Sequence, residues 1–404
     1  DMLNLAKEFN LELVDLLKDQ QDKKLIKDIF FFDDRIISEK QVLREFSKIS
    51  IKIARDIDSL DENYRNAAAI RLDHLPLSEY FNGLKCAKWL KELLSAAYVA
   101  EYGLDCSEQS TLNFLDLINP KTSSGFEVFG DSDERFRIKG GNSKIIEGLE
   151  RKIGEQRIKK EHLLTEVLEM DNGQYAMIFS NKTVVVADYV VLTLPFTMLR
   201  NVKLRLKSIS KEKKQCIDEL GYGTNTKLVL AYHGTPWNND LNKAYGYLFH
   251  KDITNGWDSS LNKTSESTYG AYVCFFGGKY AEKLHAESFK NPSAPPFHVW
   301  KTALPEETVG GIVNELDRIF LQSAKSYTGK HVFVNWIDYP YAKGSYSCFK
   351  VGQWTSMSGK ALEPTGKVFF TGEHCSKDFM GFMNGAAETG RQVAETIAEL
   401  LLKK

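Results

Sequence analysis

The stretch Lys367-Val-Phe-Phe-Thr-Gly-Glu-His-Cys-Ser-Lys-Asp-Phe-Met-Gly-Phe-Met-Asn-Gly-Ala-Ala-Glu-Thr-Gly-Arg391 limits the fold more than any other part of the chain. Val368 to Phe370 reads as a short apolar strand that runs into a glycine-punctuated turn. A helix then starts near Asn384, with apolar residues at Ala386, Val393, Ala394, Ile397 and Leu401. Its first turn, Asn384-Gly385-Ala386-Ala387, leaves backbone N–H groups open to a partner. A helix N-terminus also carries partial positive charge, so this one suits an electron-rich group such as a phosphate or a reduced ring. Glu373, just after the strand, is placed to accept hydrogen bonds from a sugar hydroxyl. The same pattern also describes a buried strand–helix corner that binds nothing, and local spacing leaves both readings open.

At 404 residues the chain has room for two domains with sizeable cores. A net charge of −1 gives no nucleic-acid or anionic-membrane footprint. No apolar run reaches the roughly 20 residues of a membrane span; Val184–Leu199 is broken by Asp188 and Pro195. The start at Asp1 reads as an amphipathic helix and not as a secretory leader. Six cysteines, at 86, 106, 216, 274, 348 and 375, show no metal-ligand spacing. They read as free buried thiols of a reducing compartment, which places the chain in the cytoplasm without a metal.

Apolar spacings of three and four predict helices over Asp1–Leu17, Ser38–Asp58 and Leu84–Tyr102. From Phe126 the texture changes, and Gly140-Gly141 lead into a helix around Ser143–Lys152. Strands are predicted at Leu163–Leu168, Tyr175–Ser180, Val184–Ala187 and Tyr189–Leu194, with a hairpin turn at Asp171-Asn-Gly-Gln. Further strands follow at Lys227–His233, Tyr245–His250, Tyr269–Phe276 and Val332–Ile337, with a helix at Glu306–Ser326. Lys227 stands out, because it enters the apolar run Leu228-Val-Leu-Ala231. A buried lysine needs a partner or a task, whereas a strand-edge lysine reaching solvent needs neither.

The terminal block resembles the C-terminal flavin-binding signature of the flavin-dependent amine oxidases, which include monoamine, polyamine and L-amino-acid oxidases. Gly372-Glu373 and then Gly381-Phe382-Met383-Asn384-Gly385-Ala386 stand at its signature positions. Arg137-Ile-Lys-Gly140-Gly141-Asn142 resembles the family's glycine loop beside the cofactor, although alone it reads as a plain turn into a helix. Leu163–Leu168 with Ala187–Pro195 resembles its mid-chain strand pair, Leu220–Lys227 its lysine segment, and Trp336 to Tyr346 its aromatic segment.

The resemblance covers most of the chain. It implies an α/β (α+β) fold in which an FAD/NAD(P)-binding Rossmann-like domain (1–20, 131–217 and 345–404) is interleaved with a substrate domain of mixed sheet and helices (21–130 and 218–344). It implies that Glu373 meets the ribityl or ribose side of FAD and that the Met383 N–H faces the flavin's N1/O2 edge. Val167 would line the adenine through its backbone, while Gly140, Gly141, Gly372 and Ala386 belong to the same cofactor surface. Lys227 would hold flavin N5 through a water, and Trp336 belongs with it. Tyr346 and Phe382 would form an aromatic sandwich that excludes water and orients the amine. Some monoamine oxidases hold flavin through a cysteine at the position of Ser345; serine forms no thioether, so FAD is expected to be non-covalent.

One departure stands out. The family opens with a strand, a Gly-x-Gly-x-x-Gly turn and a helix that cradle the FAD pyrophosphate. None of the Gly-Gly pairs here, at 140, 277 and 310, sits in that frame. Asp1–Leu13 resembles the helix that follows those elements, so the sequence reads as a fragment, or as a chain that has lost its pyrophosphate site.

The implied activity is oxidation of an amine or L-amino acid to an imine, with O2 reduced to H2O2. The implied partners are a small amine or amino acid and O2, with no nucleic acid and with a homodimer allowed. The rival readings are a non-catalytic scaffold built on a truncated flavoenzyme and a flavin desaturase or porphyrinogen-oxidase relative. No strong side-chain base is required, and His74, His233 and His374 read as structural or loop histidines.

Overall fold

The computed structural model describes residues 1–16, 25–123, 125–130, 135–260, 269–290 and 301–403. Two compact units share the chain. One gathers Asp1–Asp19, Asp133–Leu220 and Ser356–Lys404; the other gathers Gln20–Ser132 and Gly221–Thr355.

The second unit is built on a nine-stranded sheet. From one edge to the other the strands are Phe289–Lys290, Lys301–Ala303, Tyr327–Asn335, Thr226–His233, Tyr269–Phe276, Thr254–Asp258, Ala244–His250, Ile26–Phe32 and Arg35–Ile37. All the pairings are antiparallel except Ala244–His250 with Ile26–Phe32, which is parallel. Side chains alternate between faces along each strand. Ile29, Leu228, Leu230, Tyr232, Leu248, Tyr272, Cys274 and Phe333 therefore fall on one face, where they pack with Val309, Ile312, Val313 and Leu316 of the helix Glu306–Ile319. Each such residue contributes about 1.5–3 kcal/mol by leaving water.

The opposite face takes the helix Lys88–Tyr102, which lies over the strands at 26–32, 244–250, 254–258 and 269–276. Gly103 in the left-handed conformation ends that helix. The long helix Glu39–Asp58 starts at Ser38, whose side chain and that of Gln41 form a complete capping box.

The first unit holds a four-stranded sheet in the order Val184–Ala187, Tyr175–Phe179, Leu164–Glu169, Lys203–Arg205. The predicted hairpin turn is present, with Gly173 at positive φ and the Met170 N–H donating to the Gln174 carbonyl at 2.8 Å. Val368–Phe370 pairs in parallel with Val190–Leu192, in the register Val368↔Val190 and Phe370↔Leu192. Val368, Phe369, Phe370, Val190 and Leu192 are buried, while Val191 on the outer face of the pair is exposed. The predicted terminal helix spans Met383–Leu402.

The mixed α/β, multi-sheet architecture agrees with the expected fold class, and several element readings change. The predicted helix Asp1–Leu17 stops at Glu8: Asn10 takes φ +55°, and Leu13–Asp15 pairs antiparallel with Phe136–Ile138. Its last residue, Leu17, lies outside the described residues. The helix predicted to Ser326 ends at Ile319, and the strand predicted at Val332–Ile337 is Tyr327–Asn335. Phe126 packs edge-on against Phe30 and Phe46. The strands not expected from the sequence include Ile26–Phe32, Arg35–Ile37, Lys203–Arg205 and Thr254–Asp258.

Candidate active site

In the first unit the carboxyl end of Val368–Phe370 delivers the chain into the turn Thr371-Gly372-Glu373. Ligands of open α/β sheets bind beyond such strand ends. Gly372 takes φ +141°, and its N–H donates to Thr389 Oγ1 at 3.1 Å. The half-buried Glu373 opens a short 3-10 turn, and its Oε2 accepts the Gly381 N–H at 2.8 Å. Ser376 Oγ donates to Glu388 at 2.9 Å and accepts the Phe379 N–H at 3.0 Å. The loop between strand and helix is thereby clamped at both ends.

Phe382, half-buried, is the N-cap residue of the terminal helix, and no side chain caps that terminus. Met383 and Ala386 in the first turn are exposed. Gly385 is buried, and a β-carbon there would stand 2.3 Å from the Phe379 carbonyl oxygen. Asn142 Nδ2 lies 3.6 Å from Met383 Sδ, which brings the Gly140-Gly141 loop to the helix start. Gly140 and Gly141 take φ +86° and +92°, and a β-carbon on Gly141 would meet nothing within 4 Å. Val167 stands apart from this cluster in the four-stranded sheet, fully buried between Met177 and Leu204.

Beneath the turn lies a cluster that the sequence did not reveal. Lys213, buried in the helix Lys211–Glu219, donates to the Lys360 and Ala361 carbonyls at 2.9 and 2.6 Å. Its ammonium sits 3.7 Å from the Phe370 ring centroid, and burial pulls its pKa down to about 8. Burial, and then the charge of Lys213, push His374 down to about 3. That ring is neutral at any working pH, which fits a structural histidine. Burial also raises the Cys216 and Cys375 thiols to about 11 and about 12, so neither is a ready nucleophile.

In the second unit, Lys227, Trp336 and Tyr346 converge on one end of the central sheet. Lys227 pairs in register with Phe275 on one side and Val334 on the other, and Trp336 follows two residues after Val334. The Lys227 Nζ lies 5.1 Å from the Phe275 ring centroid and 5.3 Å from that of Trp257. Trp336 meets Tyr339 edge-on at 5.7 Å.

Tyr346 is fixed at both ends. Its hydroxyl donates to the Ala100 carbonyl at 3.3 Å, and its own carbonyl accepts the Gly223 N–H at 2.8 Å. Ser345 Oγ donates to Asn225 Oδ1 at 2.6 Å, and Asn225 Nδ2 donates to the Ala100 carbonyl at 2.8 Å. A β-carbon on Gly223 would stand 2.5 Å from Ser345 Oγ and from the Tyr102 carbonyl, so the backbone entering the Lys227 strand passes close beneath this segment. Trp257 was missed because Thr254-Asn255-Gly256 disguises its strand.

The chain belongs to the family described as flavin containing amine oxidoreductase, whose model matches residues 1–398. Polyamine oxidase 5 of Oryza sativa subsp. japonica is 22% identical over 268 residues, 65% of this chain and 50% of that protein. Flavin-containing amine oxidase A of Canis lupus familiaris is 23% identical over 287 residues, 69% of this chain and 49% of that protein. The chain thus spans about half the length of these curated relatives. Among solved structures, cyclohexylamine oxidase from Brevibacterium oxydans superposes with a TM-score of 0.76 at 17% identity, covering 99% of this chain and 85% of that one.

FAD is the cofactor that family membership implies. An uncapped helix N-terminus with an exposed first turn, beside an open glycine loop, fits the electron-rich edge of its ring. Among the described residues no helix is long and apolar enough to cross a membrane.

Proposed function

We propose that this chain carries the isoalloxazine-binding and substrate-binding parts of an oxidase that converts an amine or L-amino acid to an imine, with O2 as the electron acceptor. The observation that carries this reading is Lys227, held half-buried against two aromatic rings at the sheet end where Trp336 and Tyr346 also converge. Bound FAD supplies the redox chemistry.

The residues of the first unit do the holding in this reading. The Met383 N–H and the dipole of the terminal helix favour negative charge at the ring edge. Glu373 keeps its loop in place through Gly381 and presents carboxylate to a sugar hydroxyl. Gly140 and Gly141 leave room for close backbone approach, Gly372 turns the chain over the His374 ring, Ala386 is exposed in the first helical turn, and Val167 offers main chain to the adenine. In the second unit Tyr346 and Trp336 present aromatic surface that orients a neutral amine and excludes water. Lys227 places a positive charge where oxygen reduction develops a negative one. Ser345 cannot tether flavin by a thioether, so the cofactor dissociates. Phe382 supplies a further ring in the first unit.

The test is anaerobic addition of an amine to the purified, flavin-loaded full-length protein. The flavin absorbance near its visible maximum should bleach and return on admitting air, with H2O2 released. A yellow protein that no amine or amino acid bleaches would reduce the chain to a binding scaffold. Tyr346→Ala should lower kcat/KM by about 10- to 100-fold through lost orientation while leaving flavin content unchanged. Turnover at the wild-type rate would remove Tyr346 from the substrate surface.

A further inference from the structure

Asp28 lies in the middle of the apolar strand Ile26–Phe32, and its neighbour Ile29 packs into the core with Leu248. Alternation therefore turns Asp28 to the other face of the sheet, the face that carries Lys227. The register can be followed across that face. Asp28 pairs with Tyr247, Trp257 stands opposite Val273, and Tyr247 and Trp257 flank the Leu248–Gly256 pair. The adjacent row is Phe30, Phe249, Asn255, Phe275 and Lys227. Tyr247 meets Phe249 edge-on at 5.3 Å, and Trp257 meets Phe275 edge-on at 5.5 Å. An aromatic strip, half-buried at Phe275, Trp257 and Tyr247 and fully buried at Phe249 and Phe30, thus runs from the ammonium of Lys227 towards a carboxylate.

That carboxylate is poorly compensated. Burial pushes Asp28 up to about 6; Lys27 beside it lowers the value and Glu39 raises it again. No described residue forms an ion pair with it. A half-buried carboxylate that has only Lys27 beside it among the described residues, with its pKa raised, is the kind of group that gathers at binding sites.

We propose that Asp28 receives the second ammonium group of a substrate with two amino groups, so that the chain favours an extended diamine or polyamine over a monoamine of equal length. Trp257 and Asp28 lie two strands apart, roughly 10 Å at the usual strand spacing. The rings between them suit a methylene chain and a passing cation. The same negative charge repels the carboxylate of an α-amino acid, which narrows the substrate class. This assignment rests on the amine-oxidation reading above.

The experiment compares 1,8-diaminooctane with octylamine in the flavin-loaded full-length protein, for the wild type and Asp28→Asn. Asparagine keeps the shape, and since burial raises the Asp28 pKa, removing the charge should not cost folding stability. The wild type should favour the diamine by about tenfold or more in kcat/KM, and Asp28→Asn should erase that preference through KM while octylamine stays within about twofold. Calorimetric titration of the diamine should weaken by the same factor. Equal loss on both amines, or no wild-type preference, would overturn the role of Asp28 while leaving amine oxidation standing. If neither amine reduces the flavin, both readings fall together.

Discussion

Replacing Lys227 by methionine should slow reoxidation of the flavin by O2 about 100-fold or more, while its reduction by substrate changes less than about tenfold. Methionine keeps most of the length of the side chain and its contact with Trp257 and Phe275 but removes the ammonium. Electron transfer to O2 creates negative charge in a place walled by aromatic rings, where a fixed cation is worth far more than in water. Breaking the substrate's C–H bond makes no such demand on this group. Stopped-flow absorbance resolves the two half-reactions separately. Equal slowing of both would show that Lys227 shapes the site instead of stabilising that charge.

Gly385→Ala should destabilise the protein by about 3 kcal/mol or more and weaken flavin binding, whereas Gly390→Ala, one and a half turns along the same helix, should stabilise it by about 0.5–1 kcal/mol. At 385 the new β-carbon would sit 2.3 Å from the Phe379 carbonyl oxygen and 2.8 Å from Ser376 Cβ. The backbone atom cannot step aside without opening the clamp that Ser376 makes to Glu388 and to Phe379. At 390 nothing lies within 4 Å, and alanine only reduces the freedom of the unfolded chain. Denaturant titration of both variants, with flavin titrations alongside, gives the comparison. A Gly385→Ala protein of wild-type stability and flavin affinity would mean that loop and helix do not need this close approach.

How much of this was legible in the sequence depended on whether the signal was local. Val368–Phe370 and the helix after it were readable because strand, turn and helix follow one another within a few residues. Lys227 was readable as a charge in an apolar strand. Asp28 carries the same kind of signal, a charge within Ile-Lys-Asp-Ile-Phe-Phe-Phe, but its strand went unrecognised. That strand is defined by parallel pairing with Ala244–His250, far away in sequence. The stretch after Glu8 was misread for a related reason. Leu11 and Leu13 continue a helical spacing, but pairing with Phe136–Ile138 overrides it. Lys213 gave no signal at all, since its burial comes from the Lys360 and Ala361 carbonyls and the Phe370 ring.

The threading of the first unit bears on the order in which the protein is made. Val190–Leu192 has Val368–Phe370 as its parallel partner, and the Met2 N–H donates to Asn384 Oδ1. Both contacts wait for residues 368–384 to leave the ribosome. Until then the apolar residues Val190, Leu192 and Phe196 have no Phe370 or His374 to pack against. A nascent chain in that state exposes sticky surface, the condition that recruits chaperones. Closure of this unit and completion of the turn after Val368–Phe370 are then one event. A protein stalled or nicked before Val368 would lose its cofactor and its solubility together.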